Sequence, residues 1–390
     1  MTFCAHSLMS TAVNSAATGR DLAERLAEGL TQTPKTAIVY ATTNHDAEAL
    51  LGGINDVLGP DTAVVGCSTQ GVMSRGQVLE NGYVAGLMGI GGDGVEVGTA
   101  RADDIVQAPR DKGRALGTSL LAGMNGSPRV VVVYYDPICG ADIGALLDGL
   151  SEVVTCPVIG AGAGQDFGPM VATFQYLGRD VRRGAAVALA LGGAVGIDMG
   201  ACHGTDPVGV CMQVTKADGP TLLELDGRPA VEVWAELCGE ADPQVEHAAN
   251  MAIGLPREMS PQDVCRVLAP FGTDRARGGI VMHTSVAVGT EVMFHHRAEE
   301  GVRAGTRAMA TDLVSRLGER RPRAVLGFEC GARTAPFLGA EATLAENIEL
   351  QQALAPEAAW LGMLAWGEVY PLHRGSAVFN FTYPLLCLGD

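Results

Sequence analysis

The sequence is short of aromatic residues, of charge and of long apolar runs, and each shortage removes a class of function. Aromatics make up 5% of the 390 residues, so the interior must be built chiefly from Ala, Val and Leu, while 52 glycines imply tight turns and close backbone approaches. Charged residues are only 18% of the chain and sum to a formal net charge of −17. The longest basic run is Arg320-Arg321, so neither a phosphate backbone nor an anionic lipid surface meets a complementary face, and nucleic acid and membrane are not expected partners. Ala185 to Val195, the longest apolar stretch, is too short to span a bilayer, and Met1 to His6 has no basic segment leading into an apolar one, so a cytoplasmic location is expected. The ten cysteines contain no C-x2-C pair, which leaves no zinc ribbon, no thioredoxin-type motif and no covalent haem attachment site.

What the chain does contain is a repeat. Pro34 to Tyr40, a helical stretch from Asp46 to Val57 and Ala63 to Gly71 read as strand, helix, strand and glycine loop. The same punctuation returns in Pro128 to Tyr134, Asp142 to Leu150 and Pro157 to Asp166, and again in Pro322 to Phe328, Glu341 to Leu354 and Trp360 to Glu368. A unit that recurs with the same punctuation is expected to recur as the same supersecondary piece. Arg101-Ala102-Asp103-Asp104 is echoed by Arg297-Ala298-Glu299-Glu300 upstream of the second and third copies. Downstream, glycine-led β runs begin at Gly82, Gly184 and Gly375.

Continuous Val/Ile/Ala strands joined through helices predict sheets covered by helices, and the added β runs make those sheets mixed. The expected class is α/β, of the mixed α+β kind, with repeated strand-helix-strand units in two domains. Residues 1–200 would hold the first two copies and residues 201–390 the third copy with an insertion. That insertion contains a hairpin turn at Asp226-Gly227 and an amphipathic helix over Pro229 to Leu237.

Several of these pieces resemble the FIST domain pair, a bacterial sensory module, in order along nearly the whole chain. Val65-Gly66-Cys67-Ser68-Thr69-Gln70-Gly71 is similar to the signature of its N-terminal half, and Gly160 to Asp166 to its second glycine loop. Val214-Thr215-Lys216, Leu225 to Ala230, Phe328 to Arg333, Gly367-Glu368 and Asn380-Phe381-Thr382 resemble successive blocks of the C-terminal half. The resemblance implies a FIST N and a FIST C domain and a sensor of a small ligand. It also implies a signalling partner such as a histidine kinase or a cyclic-dinucleotide enzyme, and, as in some relatives, haem as a cofactor.

The residues themselves suggest several chemistries. Loops after the ends of parallel strands line the usual ligand crevice, so the repeated glycine loops are expected to converge on one. There Gly160, Ala161, Gly162, Ala163 and Gly164 would expose backbone amides to a carbonyl or carboxylate; a tight strand exit without a ligand is the plainer alternative. Three glycines in the spacing of a dinucleotide fingerprint are not completed, since Gln165 stands at the third position. Cys67, Ser68 and Thr69 could bond a ligand or, as a nucleophile turn, act with Cys330 and Glu368 in a hydrolase or lyase, although Gly71 falls one place late for a nucleophile elbow. Arg333 could clamp a carboxylate while Glu368 receives an amine, which suits an amino-acid-like ligand, or the two could simply pair with each other. Trp366, Gly367, Asp166 and Asn380 complete the candidate pocket. No metal site is expected, because His295 and His296 are adjacent on a strand and point to opposite faces, but His203 could serve as a single axial ligand for haem. Apolar faces on the helices near Arg20 and Thr306 leave room for a homodimer.

Overall fold

The structure, a computed structural model, describes residues 3–166, 170–239 and 250–390. Three units of one design build most of it. In the first, strand β1 (Cys4–Ser10), helix Ser15–Gly29, β2 (Thr36–Ala41), helix Ala47–Leu58 and β3 (Ala63–Ser68) are followed by the hairpin β4 (Val72–Ser74) and β5 (Gln77–Leu79) and by β6 (Ala85–Gly91). The second unit runs β7 (Val95–Ala102), helix Pro109–Ala122, β8 (Pro128–Tyr135), helix Ile143–Ser151, β9 (Val158–Gly162), hairpin β10 (Gln175–Leu177) and β11 (Asp180–Arg182), then β12 (Ala186–Gly193). The third opens with β13 (Gly196–Gly200), is interrupted by an insertion, and resumes with helix Glu299–Leu317, where residues 298–300 echo 102–104.

The insertion is a sheet of eight strands: β14 (Thr205–Asp218), β15 (Thr221–Leu225), β16 (Arg228–Pro229), β17 (Met251–Met259), β18 (Cys265–Leu268), β19 (Pro270–Asp274), β20 (Gly279–Met282) and β21 (Glu291–Arg297). Asp226 and Gly227, both at positive φ, turn the chain between β15 and β16. The helix that opens after Pro229 covers Ala230–Cys238 and buries Trp234. After the insertion the third unit continues through β22 (Ala324–Cys330), helix Ala340–Leu354, β23 (Ala359–Ala365), hairpin β24 (Glu368–Pro371) and β25 (Ser376–Phe379), and β26 (Leu385–Gly389).

The mixed α/β expectation therefore holds, with parallel pairs β2–β3, β8–β9 and β22–β23 at the heart of each unit. Three of the helices begin where short polar side chains satisfy free amides: Asn14 accepts from Ala17 N, Asp46 from Ala49 N and Asp142 from Ala145 N. One sequence expectation needs correction. The glycine-led run at Gly375 is a hairpin strand, β25, and the counterpart of β6 and β12 is β26, which pairs with β22 as they pair with β2 and β8. The run was misread because the third unit's hairpin is also opened by a glycine turn.

Each unit gives its hairpin away. The β4–β5 hairpin of unit one extends the sheet of unit three at β23, β10–β11 of unit two extends unit one at β3, and β24–β25 of unit three extends unit two at β9. The three resulting six-stranded sheets are ordered β1-β6-β2-β3-β10-β11, β7-β12-β8-β9-β24-β25 and β13-β26-β22-β23-β4-β5. Their inner faces share one core, in which Tyr40, Tyr134 and Phe328 occupy the same position in their units. The Tyr40 and Tyr134 hydroxyls meet at 2.7 Å, which satisfies two polar groups in an otherwise apolar centre. Among the described residues, no helix is long and apolar enough to cross a membrane.

Parallel strands approach closely only because glycine sits where a side chain would collide. A Cβ on Gly66 would stand 1.8 Å from the Val39 carbonyl oxygen, and one on Gly160, at φ +147°, 2.0 Å from that of Val133. Gly140, at φ +85°, faces open space. Gly160→Ala should thus destabilise by roughly 3 kcal/mol or more, through clash and strain together, whereas Gly140→Ala should cost about 1 kcal/mol from strain alone. Urea midpoints of the two variants check this, and equal losses would refute the close-contact argument.

Candidate functional site

The ends of β3, β9 and β23 converge as the loop argument expects, but chiefly on one another. Ser68 Oγ donates to the Gly164 carbonyl and accepts from Phe174 N, and Gly164 N donates to the Ser68 carbonyl. Thr69 Oγ1 donates to the Leu364 carbonyl at 2.9 Å, Gly162 N to that of Gly367, and Trp366 N to that of Gly162. A Cβ on Gly162 would lie 2.1 Å from the Trp366 carbonyl oxygen. Cys67 and Ala161 are wholly buried in the shared core, as is Ala163, and the Cys67 thiol lies 3.7 Å from the Met363 sulfur. Ser68 and Thr69 are equally inaccessible. The residue types that looked like a ligand cradle therefore form the joint between units. Asp166 stands apart, half-buried, where the Asn44 amide donates to it at 2.8 Å and burial raises its pKa.

Arg333 and Glu368 do not meet, and neither expected role for Arg333 holds. Its fully buried guanidinium pairs with Glu346 at 3.0 Å and with Glu329, and also donates to Thr306 Oγ1. Two carboxylates and a hydroxyl occupy it, so it has no face for a ligand. The carboxylates came from positions the sequence gave no reason to join: Glu329 sits on β22 and Glu346 on the following helix. Burial together with the nearby Glu346 charge outweighs the Arg333 attraction and pushes Glu329 up to about 7. Glu368 is buried elsewhere, accepting from Thr382 N and Thr382 Oγ1, and hydrogen-bonded by the Cys330 thiol. Burial raises its pKa to about 8, and burial beside Glu368 holds Cys330 well above an ordinary thiol. Beside them the Arg297 guanidinium stacks on Phe337 and Phe381, 4.1 and 3.8 Å from the ring centroids.

Open space begins on the far side of Gly367. A cleft of about 600 Å³ lies between unit two and the insertion. Unit two contributes Asp136 to Asp142, Met170, Val171, Arg183 and Gly184; the insertion contributes Pro220, Phe271 and Met282 to Ser285; and Trp366 closes the floor. Of the expected pocket residues, Trp366 lines it and Asn380 shapes it. Asn380 Oδ1 accepts from Ala269 N, which turns its Nδ2 towards His283 Nδ1 at 3.3 Å. The ring of His283 also hydrogen-bonds the Pro137 carbonyl, while burial lowers its pKa to about 4, so it is neutral at pH 7. Glycine is required at Gly367 because His283 would lie 2.3 Å from a Cβ there. Phe271 packs against His283 with centroids 5.0 Å apart, and the Trp366 indole donates to Gln70 Oε1. Asp136, Cys139, Arg183 and Phe271 were not readable as site residues, because they sit on three separate segments with no motif.

Haem was the one cofactor in view, through His203. His203 Nδ1 is engaged by both the amide and the hydroxyl of Thr205, and the ring packs edge-on against His295 at 6.0 Å. The neighbouring cavity of about 420 Å³ is walled by Gly200, Gly204, Gly305 and Ala308 with Asp263 and Asp312. A porphyrin needs broad apolar walls and donors for its propionates. This lining, in which Val264 and Met309 are the larger apolar side chains beside two carboxylates and no Lys or Arg, does not fit it.

The chain matches the family descriptions FIST N domain over residues 35–228 and FIST C domain over residues 230–371. An uncharacterised protein of Mycobacterium tuberculosis is 26% identical over 382 residues, covering 94% of both chains. An uncharacterised protein of Mycobacterium bovis is 28% identical over 217 residues, 54% of this chain and 55% of its own, so this chain's match spans about half of that relative's length. Among solved structures, a cyanuric acid hydrolase from A. caulinodans aligns over 99% of each chain with a TM-score of 0.37 and 7% identity. That likeness is too weak to carry an argument.

The buried Glu368 makes a prediction in pH. The unfolded chain releases this proton near the ordinary value of 4.5, whereas the folded protein holds it to about 8, so native stability due to Glu368 falls as pH rises between those values. Glu368→Gln should therefore gain stability over the wild type progressively from pH 5 to pH 8, read from paired urea midpoints. A difference that does not change with pH would show that Glu368 is ionised throughout.

Proposed function

Because the chain belongs to the FIST family, whose domains are associated with sensory and signal-transduction roles, we propose that it is a sensor whose ligand occupies the cleft between unit two and the insertion. The observation that supports this is the make-up of that cleft: an apolar, aromatic-lined cavity of about 600 Å³ with a few fixed polar groups. That size and composition are those of small-molecule sites. Met170, Val171 and Phe271 are 56%, 69% and 39% exposed, and an occupant would cover apolar surface that otherwise faces water.

The placement also suits a sensor. A molecule in the cleft touches two separately built parts, the unit-two sheet and the inserted sheet, and so favours whichever relative arrangement it fits better. That bias is what a partner such as a histidine kinase or a cyclic-dinucleotide enzyme would read. Binding rather than turnover is proposed because the groups at the cleft that could act as base or nucleophile, Asp136 and Cys139, are tied down: Asp136 accepts from Ile138 N, Thr173 Oγ1 and Gly184 N, and the Cys139 thiol donates to the Asp136 carbonyl.

Ser285 is exposed at the cleft and can be enlarged to fill it. Small molecules released on denaturation, or found by thermal-shift screening, should stabilise the wild type by about 2.7 kcal/mol at a hundredfold excess over Kd, a rise of several degrees in Tm. Ser285→Trp should lose that rise while keeping its own urea midpoint. A ligand that stabilises both proteins equally binds elsewhere and overturns the assignment.

A further inference from the structure

The charged groups around the cleft are not paired with one another. Two acids line it: Asp136 accepts the three bonds described above, all from uncharged donors, and the exposed Asp142 caps the following helix through Ala145 N. Arg183 also lines it, and donates one hydrogen bond, from Nη2 to the Val171 carbonyl at 3.0 Å. Among the described residues, no carboxylate pairs with Arg183. Its guanidinium carries five N–H groups in a flat fork suited to a carboxylate, and most of that fork is open. On a chain of net charge −17, an exposed cation without a partner beside an apolar cavity marks where a negative group can be held.

The rest of the wall selects shape. Phe271, His283 and Trp366 bring three flat rings to one cavity, with Met282, Pro137 and Pro220 among them. The His283 ring offers no charge and no free acceptor, since Asn380 and the Pro137 carbonyl engage it, so it acts as a flat apolar surface. Flat rings take up an aromatic ring by offset or edge contacts better than a flexible aliphatic chain.

We propose that the ligand is a small aromatic carboxylate, held with its ring among Phe271, His283 and Trp366 and its carboxylate on Arg183; this rests on the cleft being the sensory site. It also revises the amino-acid-like expectation. An α-ammonium group next to a carboxylate held by Arg183 would stand beside a like charge.

Isothermal titration with four probes tests this: 3-phenylpropionate, its neutral amide, phenylalanine and hexanoate. The expected result is that 3-phenylpropionate binds roughly tenfold or more tightly than each of the others, the scale of one charge-assisted contact. Arg183→Gln should remove that advantage over the amide without changing amide affinity, Arg183→Lys should restore part of it, and Phe271→Ala should weaken 3-phenylpropionate and its amide alike. Equal binding of acid and amide, a preference for phenylalanine or hexanoate, or no binding by any probe overturns the aromatic carboxylate. The two readings fail separately. If another compound raises the wild-type Tm and Ser285→Trp abolishes the rise, the cleft stands as the site and only the ligand class falls. If every stabilising compound acts equally on both proteins, the site itself falls.

Discussion

Everything in this molecule depends on the exchange of hairpins between units. A strand-helix-strand piece with one more antiparallel strand has an open edge on the side of its second strand, and an open edge invites pairing with any available chain. Here each of the three edges is closed by a hairpin from another unit: β3 by β10, β9 by β24 and β23 by β4. No unit completes its own sheet, so the three must fold around one core, and that core draws on all of them. The exchange also fixes where the crossing loops run. Ser68, Gly164, Gly162, Gly367, Thr69 and Leu364 satisfy one another's backbone groups at the joint, which leaves the interior without room for a ligand.

That constraint explains which parts of the fold were legible. The local pieces were: runs such as Val130 to Tyr134 signal a buried strand by composition, and helices announce themselves by Asp46 or Asp142 at their caps. The exchange was not. Val72 pairs opposite Met363, and no local pattern records a partner so distant in sequence. The same blindness affected the charges. Arg333 and Glu368 were expected to hold one ligand between them or to pair, because both follow strands of the third unit, yet the nearer partners were Glu329, four residues back on β22, and Glu346 from the next helix. A buried guanidinium takes the acids that folding brings to it, and sequence proximity to a loop says little about which those are.

The candidate site was legible only where it borders the repeat. Trp366 and Asn380 were found because they flank the third copy's glycine loop and hairpin, and both do shape the cleft. Asp136, Arg183 and Phe271 carry no motif. They meet because the insertion, which enters the chain between β13 and helix Glu299–Leu317, lies against unit two, bringing Phe271 and His283 to the loop that follows β8.

The three units are alike in topology, but the positions two residues beyond Tyr40, Tyr134 and Phe328, at the ends of β2, β8 and β22, have diverged, and the divergence accounts for the cleft. Thr42, Asp136 and Cys330 occupy this position in turn. Thr42 accepts from Val84 N and donates to the Gly82 carbonyl; Asp136 ties Ile138, Thr173 and Gly184 together; Cys330 is sealed beneath Glu368 and Phe381. In units one and three the local groups meet one another and close the loop. In unit two a carboxylate gathers three donors inward, while the insertion roofs the space above without filling it. A repeated scaffold can give up the symmetry of one loop cheaply, because the joint that holds the units together lies elsewhere, on the exchanged hairpins. Rigid support and the opening are thus carried by different residues, and the lining of the cleft can change without disturbing the core.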